Sequence, residues 1–391
     1  MGKRGPAVFL SVGEASGDLH GATLCRALRE LAPDIVLAGM GGPRMAAAGM
    51  EVLVDPTAEA VVGSNEALHR IPALYRAYRL LAHRLERDHP QALVLIDFPE
   101  FNLRLARRAR RAGVPVVYFI PPQLWAWRRW RVRAVRRHVT RVLAVLPLEL
   151  PLYRGAGVPV EFVGHPLLDA VPLDLGPLAA RERLGIDPDQ PLIGLLPGSR
   201  PLEVARLLPA MLEASRILAR ADARRRVVLA LADSVDAEAV RAAVAAARAR
   251  GGPDVELFRG RTYEIMAGAD TLLAASGTAS LEAALLGAPM VVCYRVSRMS
   301  YEIARRLITV PWIGLPNLIA NRALVPELIQ DDLTGARLAA LAEPLLGGGA
   351  AAALQRAGFK EVRALLGEPG VGRRAAAAVL AVARGAGGGR R

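Results

Sequence analysis

The stretch LIGLLPGSRPLEV, residues 192–204, decides the fold class because it joins an apolar run to a turn and then to a helical pattern. Residues 192–196 form the short apolar run that is typical of a buried strand. Pro197 and Gly198 mark the turn, and the next residues place apolar side chains at helical spacing. A strand that passes directly into a helix is the repeating unit of a parallel α/β sheet.

The same unit recurs before and after a proline-punctuated stretch at residues 159–177. Apolar runs predict strands at 7–12, 35–38, 93–96, 114–120 and 142–146, and then at 192–196, 227–231, 255–258, 271–274 and 290–294. We therefore expect an α/β chain with two doubly wound, Rossmann-like halves joined near residues 164–166.

These patterns predict four segments. Residues 1–166 and 167–340 are the two Rossmann-like domains, and 341–384 are C-terminal helices rich in alanine and leucine. Residues 385–391 are mostly glycine and arginine, a composition that predicts a disordered tail. In such sheets ligands bind beyond the carboxyl ends of the strands, so the strand-to-helix loops are the candidate sites.

Composition and charge bear on three questions: metal binding, membrane insertion and the charge of a partner. The 391 residues include only two cysteines and six histidines, without the spacing of a metal or redox site, so we expect no metal. No signal-peptide core or spanning segment is apparent, which predicts a cytoplasmic protein, with surface association left open. The net charge of +14 indicates an anionic partner, of which nucleic acid is one candidate.

Two loops of the second half are candidate phosphate sites. Ser199 and Arg200 follow a predicted strand and open a helix, and a helix N-terminus next to an arginine binds anions. Ser276, Gly277 and Thr278 open another helix, and Glu282 lies one turn further on, where a carboxylate can accept hydrogen bonds from ribose hydroxyls. The alternatives are a simple strand-exit turn and a helix cap.

The first half offers a candidate base. Asp97 follows the predicted strand 93–96, which places a carboxylate at the carboxyl end of the sheet. An N-cap for the next helix is the alternative use of this residue. The loop at residues 13–21 lacks a Gly-x-Gly-x-x-Gly pattern, so it gives little support to a dinucleotide cofactor.

Two further segments combine apolar and basic residues. Residues 125–131, WAWRRWR, interleave tryptophan with arginine, a pattern that suits base stacking, a lipid interface or a phosphorylated glycolipid. An apolar stripe from Leu74 to Leu85, flanked by arginines, favours packing on the core over contact with a membrane.

Several motifs occur in the order of one known family. They are Gly-Glu-Ala-Ser-Gly-Asp at 13–18, Gly-Gly-Pro-Arg-Met at 41–45, Ile-Asp-Phe-Pro-Glu-Phe-Asn at 96–102, Trp-Ala-Trp-Arg at 125–128, Leu-Pro-Gly-Ser-Arg at 196–200, Ala-Ser-Gly-Thr-Ala at 275–279 and Leu-Pro-Asn-Leu at 315–318. Together they resemble the lipid-A-disaccharide synthase family from about residue 8 to 328.

The resemblance implies a GT-B fold with an interdomain cleft, and an inverting, metal-independent glycosyltransferase without a cofactor. Its substrates would be UDP-2,3-diacylglucosamine and 2,3-diacylglucosamine 1-phosphate, and its products a β-1,6-linked lipid A disaccharide 1-phosphate and UDP. The enzyme would serve lipopolysaccharide synthesis as a cytoplasmic protein associated peripherally with the inner membrane. It would need no nucleic acid, and a homodimer stays open.

The family also implies roles for particular residues. Asp97 would be the catalytic base. Donor-binding residues would be Ser199, Arg200, Ser276, Gly277, Thr278, Glu282, Asn317 and Arg322. Glu14, Ser16 and Gly17 would border the acceptor side.

Two rival functions remain at this stage. Another GT-B UDP-sugar transferase or an epimerase would share the second-half loops but not the motifs around Asp97 and Trp125. An arginine-rich nucleic-acid binder would explain the charge, although no known nucleic-acid module is recognisable. The family's usual Ser-Pro-Ser-like run is replaced here by Pro121, Pro122 and Gln123, and residues 62–65 also depart from its pattern. Both departures bear on acyl-chain preference and membrane contact more than on the reaction.

Overall fold

Parallel strands alternate with helices throughout the residues that the computed structural model describes, 6–56 and 67–387. The chain divides into two compact units. Residues 1–169 and 366–391 form unit 1, and residues 170–365 form unit 2. The departures at residues 62–65 lie outside the described residues.

Unit 1 is built on a parallel sheet of strand order β3-β2-β1-β4-β5-β6-β7. Its strands are β1 Ala7–Val12, β2 Val36–Met40, β3 Glu51–Val54, β4 Ala92–Ile96, β5 Val116–Phe119, β6 Arg141–Ala144 and β7 Val160–Phe162. Its helices are α1 Ala15–Leu31, α2 Pro43–Ala47, α3 Ala67–Asp88, α4 Pro99–Arg111, α5 Val132–His138, α6 Leu150–Gly155 and α7 Leu167–Ala170, which ends one residue into unit 2.

Helices cover both faces of this sheet because its central strands are apolar on both sides. Helices α3 to α6 enclose one core, in which Leu81 and Leu85 of α3 are buried. The apolar stripe of α3 therefore packs on the core at these positions, as predicted, although Tyr75 on the same helix is exposed.

The last helix of the chain completes unit 1. Helix α17, Val371–Gly387, packs on α1 and on strands β4 to β6. The carboxylate of Asp169 accepts hydrogen bonds from the backbone N–H groups of Gly370 and Gly372, at 2.6 and 3.1 Å. The helix includes residues 385–387, which we expected in a disordered tail, and 388–391 lie outside the described residues.

Unit 2 is built on a parallel sheet of strand order β10-β9-β8-β11-β12-β13. Its strands are β8 Leu192–Leu196, β9 Arg226–Leu231, β10 Val255–Arg259, β11 Thr271–Ala275, β12 Met290–Tyr294 and β13 Glu327–Ile329. Its helices are α8 Pro177–Leu184, α9 Pro201–Ala221, α10 Ala237–Ala249, α11 Thr262–Gly268, α12 Thr278–Leu285, α13 Arg298–Leu307, α14 Leu315–Ala320, α15 Gly335–Ala342 and α16 Ala350–Leu365.

Successive side chains of the central strands point to opposite faces of the sheet and pack in two separate cores. Ile193 and Leu195 of β8 pack with α9, α10 and α15, while Leu192 and Leu196 pack with α11, α12 and α16. Both sheets have the order of a doubly wound fold, in which the strand sequence reverses direction beside the first strand. The α/β class and the two Rossmann-like halves are thus confirmed.

Candidate active site

In unit 1, two neighbouring strands deliver the predicted acidic residues to one edge of the sheet. Val12 at the end of β1 is the register partner of Ile96 at the end of β4. The loops that leave these strands begin with Gly13 and Asp97, and Glu14 is the residue before α1. Parallel pairing therefore brings the motifs 13–18 and 96–102 together at the carboxyl edge.

The backbone of Asp97 is held in an uncommon conformation. Asp97 and Phe98 both have φ of 47°, in the left-handed region that non-glycine residues rarely adopt. The Asp97 carbonyl accepts hydrogen bonds from the Asn102 side-chain amide at 2.7 Å and from the Tyr118 hydroxyl at 2.8 Å. These contacts stabilise a turn that would otherwise cost roughly 1–3 kcal/mol per residue.

Asn102 is itself fixed by the strands around it. It is fully buried, and its amide also donates to the Ile96 carbonyl at 3.2 Å, while its oxygen accepts from the Ser11 hydroxyl at 2.7 Å. Asn102 thus ties the ends of β1 and β4 to the Asp97 turn.

The pKa of the Asp97 carboxyl is raised above its ordinary value, first by burial and then by the negative charge of Glu14. A hydrogen bond from the Phe98 backbone N–H partly offsets the increase in the pKa. A carboxylate with a raised pKa is a stronger base than one in water, which is what proton abstraction requires.

The turn after β1 packs tightly against Phe98. A Cβ atom on Gly13 would lie 2.2 Å from the Phe98 ring, so a larger residue here would require the ring to move. Phe98 in turn stacks on Phe101 of α4, with ring centroids 5.5 Å apart. The close approach at Gly13 fixes the β1–α1 turn beside Asp97.

Asp18 joins two of the motifs by a structural contact. Its buried carboxylate accepts hydrogen bonds from the backbone N–H groups of Gly42, Arg44 and Met45, at 2.8, 3.0 and 3.1 Å. Asp18 therefore caps α2 and is not free to act on a ligand. Of the predicted acceptor-side residues, Glu14 and Ser16 are exposed, whereas Gly17 is buried.

In unit 2, the two predicted phosphate loops also leave neighbouring strands. Strand β8 pairs with β11, with Leu196 opposite Ala274, so the loops beginning at Pro197 and Ser276 emerge side by side. Each loop opens a helix, α9 and α12 respectively. Two helix N-termini and their backbone amides thus point to the same edge, which is a favourable place for a diphosphate.

In the loop at residues 197–200, the conformation depends on Gly198, and the Glu203 carboxylate accepts a hydrogen bond from the loop backbone. Gly198 has φ of 110°, and a Cβ atom there would collide with the Glu203 side chain. Ser199 donates its backbone N–H to Glu203 at 3.3 Å and accepts a hydrogen bond from the Ser234 hydroxyl at its carbonyl. The side chains of Ser199 and Arg200 are exposed at the start of α9.

The second loop leaves its backbone accessible. Gly277 has φ of 147°, is exposed, and has open space where a Cβ would stand. Thr278 is exposed at the first turn of α12. The Ser276 hydroxyl donates to the Ile313 carbonyl at 3.1 Å, so this side chain holds the neighbouring loop.

Glu282 is partly buried one turn into α12. Its Oε1 accepts a hydrogen bond from the Tyr263 hydroxyl at 3.0 Å. Burial raises the pKa of Glu282, and the Tyr263 contact opposes that increase. The geometry orients the carboxylate while leaving acceptor capacity for ligand hydroxyls.

Asn317 is fully buried, and all of its hydrogen-bonding capacity is used inside unit 2. Its amide donates to the Val325 carbonyl and to Glu327 at 2.9 and 2.7 Å, and its oxygen accepts from Leu324 and Val325 at 2.8 Å each. In this arrangement the Asn317 side chain holds the loop that enters β13, and its predicted contact with a donor stays a prediction.

Glu327 extends this network toward the second loop. Its carboxylate accepts from the backbone N–H groups of Ile313 and Gly314 at 3.0 and 2.9 Å. Ile313 is also the residue whose carbonyl receives the Ser276 hydroxyl. Asn317 therefore supports the Ser276 loop from behind, through Glu327 and Ile313.

Arg322 lies in the loop between α14 and β13. Its side chain pairs with Glu361 of α16 at 2.7 Å. The predicted role of Arg322 in donor binding stays a prediction.

The described residues offer neither a preformed metal site nor a single membrane-spanning helix. No group of three or more His, Cys, Asp or Glu side chains in residues 6–56 and 67–387 is arranged to hold a metal ion. Within the same ranges no single helix is long and apolar enough to cross a bilayer, and only the bent pair 335–348 and 350–365 meets the criterion together.

Sequence reasoning missed several supporting residues. Tyr118 and Glu327 lie outside the quoted motifs, and Asn102 ends the motif 96–102 but was given no role of its own. A signal was present for Ser11 and Tyr118, since each places a polar group in an otherwise apolar strand. A buried polar side chain needs a partner, which makes such positions candidates for a network.

A family model and curated relatives both match this chain over most of its length. Residues 8–382 match the family model described as lipid-A-disaccharide synthetase. The chain is 44% identical over 373 residues to the lipid-A-disaccharide synthase of Geobacter sulfurreducens, covering 95% of this chain and 96% of that protein.

Solved structures with the same architecture are more distant in sequence. The UDP-GlcNAc 2-epimerase of Neisseria meningitidis, bound to UDP-GlcNAc, superposes with a TM-score of 0.60 at 13% identity, covering 96% of this chain and 99% of that one. The calicheamicin glycosyltransferase CalG4 has a TM-score of 0.63 at 17% identity, covering 97% and 98%. These two likenesses show the fold alone.

Proposed function

Because the chain belongs to the lipid-A-disaccharide synthase family, a family of glycosyltransferases, we propose that it joins two acylated glucosamine units. The donor is UDP-2,3-diacylglucosamine and the acceptor is 2,3-diacylglucosamine 1-phosphate. The products are the β-1,6-linked lipid A disaccharide 1-phosphate and UDP.

The observation that carries this proposal is the Asp97 turn. It combines a desolvated carboxyl group, a neighbouring negative charge at Glu14 and a backbone fixed by Asn102 and Tyr118. UDP is a good leaving group, so the chemistry needs a base for the incoming hydroxyl more than an acid for the departing oxygen. Asp97 takes the proton of the acceptor 6-hydroxyl, and that oxygen attacks the anomeric carbon in a single inverting displacement.

The proposal assigns the UDP moiety to the carboxyl edge of unit 2. Arg200 and the backbone amides at Ser199, Gly277 and Thr278 neutralise the diphosphate as the bond to the sugar breaks. Glu282 accepts hydrogen bonds from the ribose hydroxyls. Asn317 and Ser276 position this loop through the Ile313–Glu327 network, and Arg322 stays a predicted donor-binding residue.

The acceptor side and the location of the enzyme are also proposals. Glu14, Ser16 and Gly17 border the acceptor sugar, because their turn lies beside Asp97. Both substrates carry acyl chains, so the enzyme works peripherally at the cytoplasmic surface of the inner membrane. A site in a cleft between the units, and a homodimer, stay predictions from the sequence.

A single reaction tests the function. The purified chain is incubated in excess EDTA with both substrates, and products are identified by mass spectrometry. We expect a tetraacyl disaccharide phosphate and one equivalent of UDP. An epimerised sugar nucleotide formed from the donor alone would instead support the epimerase alternative, and no product in detergent or vesicles would contradict the proposal.

A further inference from the structure

An arginine-lined cavity of unit 1 is not used in the proposed reaction. It lies between α5 and α6 and has a volume of about 420 Å³. Three arginines line it: Arg129, Arg133 and Arg136. Their spacing of four and three residues places them on one helical face. We call it the α5–α6 cavity.

These three arginines are not neutralised within the protein. None of them has an ion-pair partner among residues 6–56 and 67–387, and all three are exposed. The adjacent Arg128 and Arg131 differ, because both pair with Glu100, at 2.9 and 2.6 Å. The cavity is therefore a concentration of unpaired positive charge.

The positive charge continues onto the neighbouring helix. Arg107, Arg110 and Arg111 of α4 face the end of α5. Together with Arg137, and after the larger effect of burial, they lower the pKa of His138. A like-charge field strong enough to disfavour an imidazolium ion attracts anions to this surface.

The cavity is also partly apolar. Val132, Pro151 and Leu152 contribute its remaining large side chains. In the turn just before α5, Trp130 is 66% exposed and Trp127 is 36% exposed. Exposed tryptophans beside arginines are characteristic of surfaces that meet the headgroup region of a bilayer.

We propose that the α5–α6 cavity and its arginine face bind the phosphate groups of anionic glycerophospholipids and hold unit 1 on a bilayer surface. This inference deepens the proposed function and rests on it, because an enzyme with two acylated substrates must meet them at a membrane. The apolar floor and the exposed tryptophans favour a lipid over a free phosphate ion.

The test compares two triple variants with equal loss of charge. R129Q/R133Q/R136Q alters the cavity, while R183Q/R250Q/R363Q removes three exposed arginines that lack an ion-pair partner within the described part of unit 2. Each full-length protein is sedimented with vesicles of phosphatidylcholine, with and without phosphatidylglycerol. Each basic residue near an anionic surface contributes about fivefold in affinity, so the cavity triple loses on the order of a hundredfold.

The control triple keeps most of its vesicle affinity, and wild-type binding weakens as salt is raised. Trp130 supplies a second readout. Anionic vesicles shift the tryptophan emission of the wild type to shorter wavelength, and this shift is smaller in Trp130→Phe.

Catalysis in detergent micelles separates this inference from the proposed function. The cavity triple keeps wild-type kcat and acceptor KM in micelles while losing vesicle binding. A raised acceptor KM in micelles would make the cavity a substrate subsite and overturn the proposal. Equal vesicle affinity of the two triples would also overturn it, and would point to another surface, such as the exposed Met299 and Ile303 of α13.

Two results would contradict the proposal because they would indicate a different ligand for the cavity. One is loss of oligonucleotide affinity in the cavity triple with vesicle binding intact. The other is protection by inorganic phosphate from thermal unfolding without any binding to anionic vesicles. A wild-type chain that binds vesicles but makes no disaccharide would contradict the proposed function alone.

Discussion

At the scale of single residues, the account depends on how Asp97 is held. Its backbone occupies a conformation that costs free energy, and two buried side chains compensate by binding its carbonyl. The backbone that carries the carboxyl group is therefore fixed before any substrate arrives. Such preorganisation lowers a barrier because it is established during folding.

Removing one of these contacts tests that role. Tyr118→Phe deletes the hydroxyl that donates to the Asp97 carbonyl, and we expect kcat to fall on the order of tenfold with little change in donor KM. Stability should fall by about 1 kcal/mol, since one hydrogen bond is lost.

Tyr153→Phe is the matched control for this variant. Tyr153 is also fully buried, but its hydroxyl donates to the Pro122 carbonyl at 3.2 Å. We expect normal kcat in this variant. Equal loss of kcat in the two variants would mean that Tyr118 acts only through general stability.

The pH dependence of the reaction tests the electrostatic environment. Burial and the charge of Glu14 raise the pKa of Asp97, so activity that needs the carboxylate is lost as the pH falls through that raised value. Glu14→Gln removes the repelling charge, and we expect the acid limb of kcat/KM to move to lower pH.

A second carboxylate on α1 provides the comparison. Glu30 is exposed near the far end of the helix, and Glu30→Gln should leave the acid limb in place. An acid limb that stays fixed or moves to higher pH in Glu14→Gln would contradict the assignment of this limb to Asp97.

At the scale of secondary-structure elements, the site depends on the packing of turns at adjacent strand ends. Gly13→Ala would place a methyl group 2.2 Å from the Phe98 ring. The ring must then move, and Asp97 precedes it directly. We expect a loss of stability of about 1–3 kcal/mol and a larger loss of kcat than this instability explains.

Gly176→Ala serves as the control, because no heavy atom lies within 4 Å of the added Cβ and its φ is −76°. Thermal unfolding and kcat are measured for both variants. Full activity in Gly13→Ala would show that the Phe98 contact does not position Asp97.

Most elements follow from the apolar pattern, and the exceptions have a common cause. The predicted strands at 7–12, 192–196 and 290–294 have the observed bounds. The strands that the pattern missed are β3, β7 and β13, of three or four residues each, and all three are sheet edges. An edge strand pairs on one side only and is partly exposed, so it needs no continuous apolar run.

Side-chain roles were harder to predict than elements. The sequence predicted Asp97, Glu282 and the two glycine loops as site residues because strand ends and helix starts have local signals. It gave no indication that Asn317 would be saturated by Val325 and Glu327, since that network needs residues brought together by the fold. Arg322 was predicted from a family position, which gave no indication of its ion pair with Glu361.

At the scale of the whole molecule, the last segment of the chain, residues 366–391, belongs to unit 1 with residues 1–169. Helix α17 buries residues such as Val371 and Val379 against unit 1, although it follows unit 2 in the sequence. The alanine-rich pattern predicted a helix here but carried no information about its packing partner.

Truncation of residues 366–391 tests this connection. It exposes the apolar surface that α17 covers on α1 and β4, so we expect unit 1 to unfold at lower temperature or to aggregate. Unit 2 should keep its own unfolding transition in calorimetry. Removal of residues 388–391 alone is the control, and an unchanged thermogram in the longer truncation would contradict the placement of α17.

In the proposed reaction the base belongs to unit 1 and the UDP-binding loops belong to unit 2. The most direct measurement compares Asp97→Asn with the wild type for both UDP affinity, by calorimetry, and kcat. We predict unchanged UDP affinity and a kcat lower by about 10²–10⁴-fold. A folded Asp97→Asn variant that turns over at nearly the wild-type rate, or one that has lost UDP binding, would contradict the account.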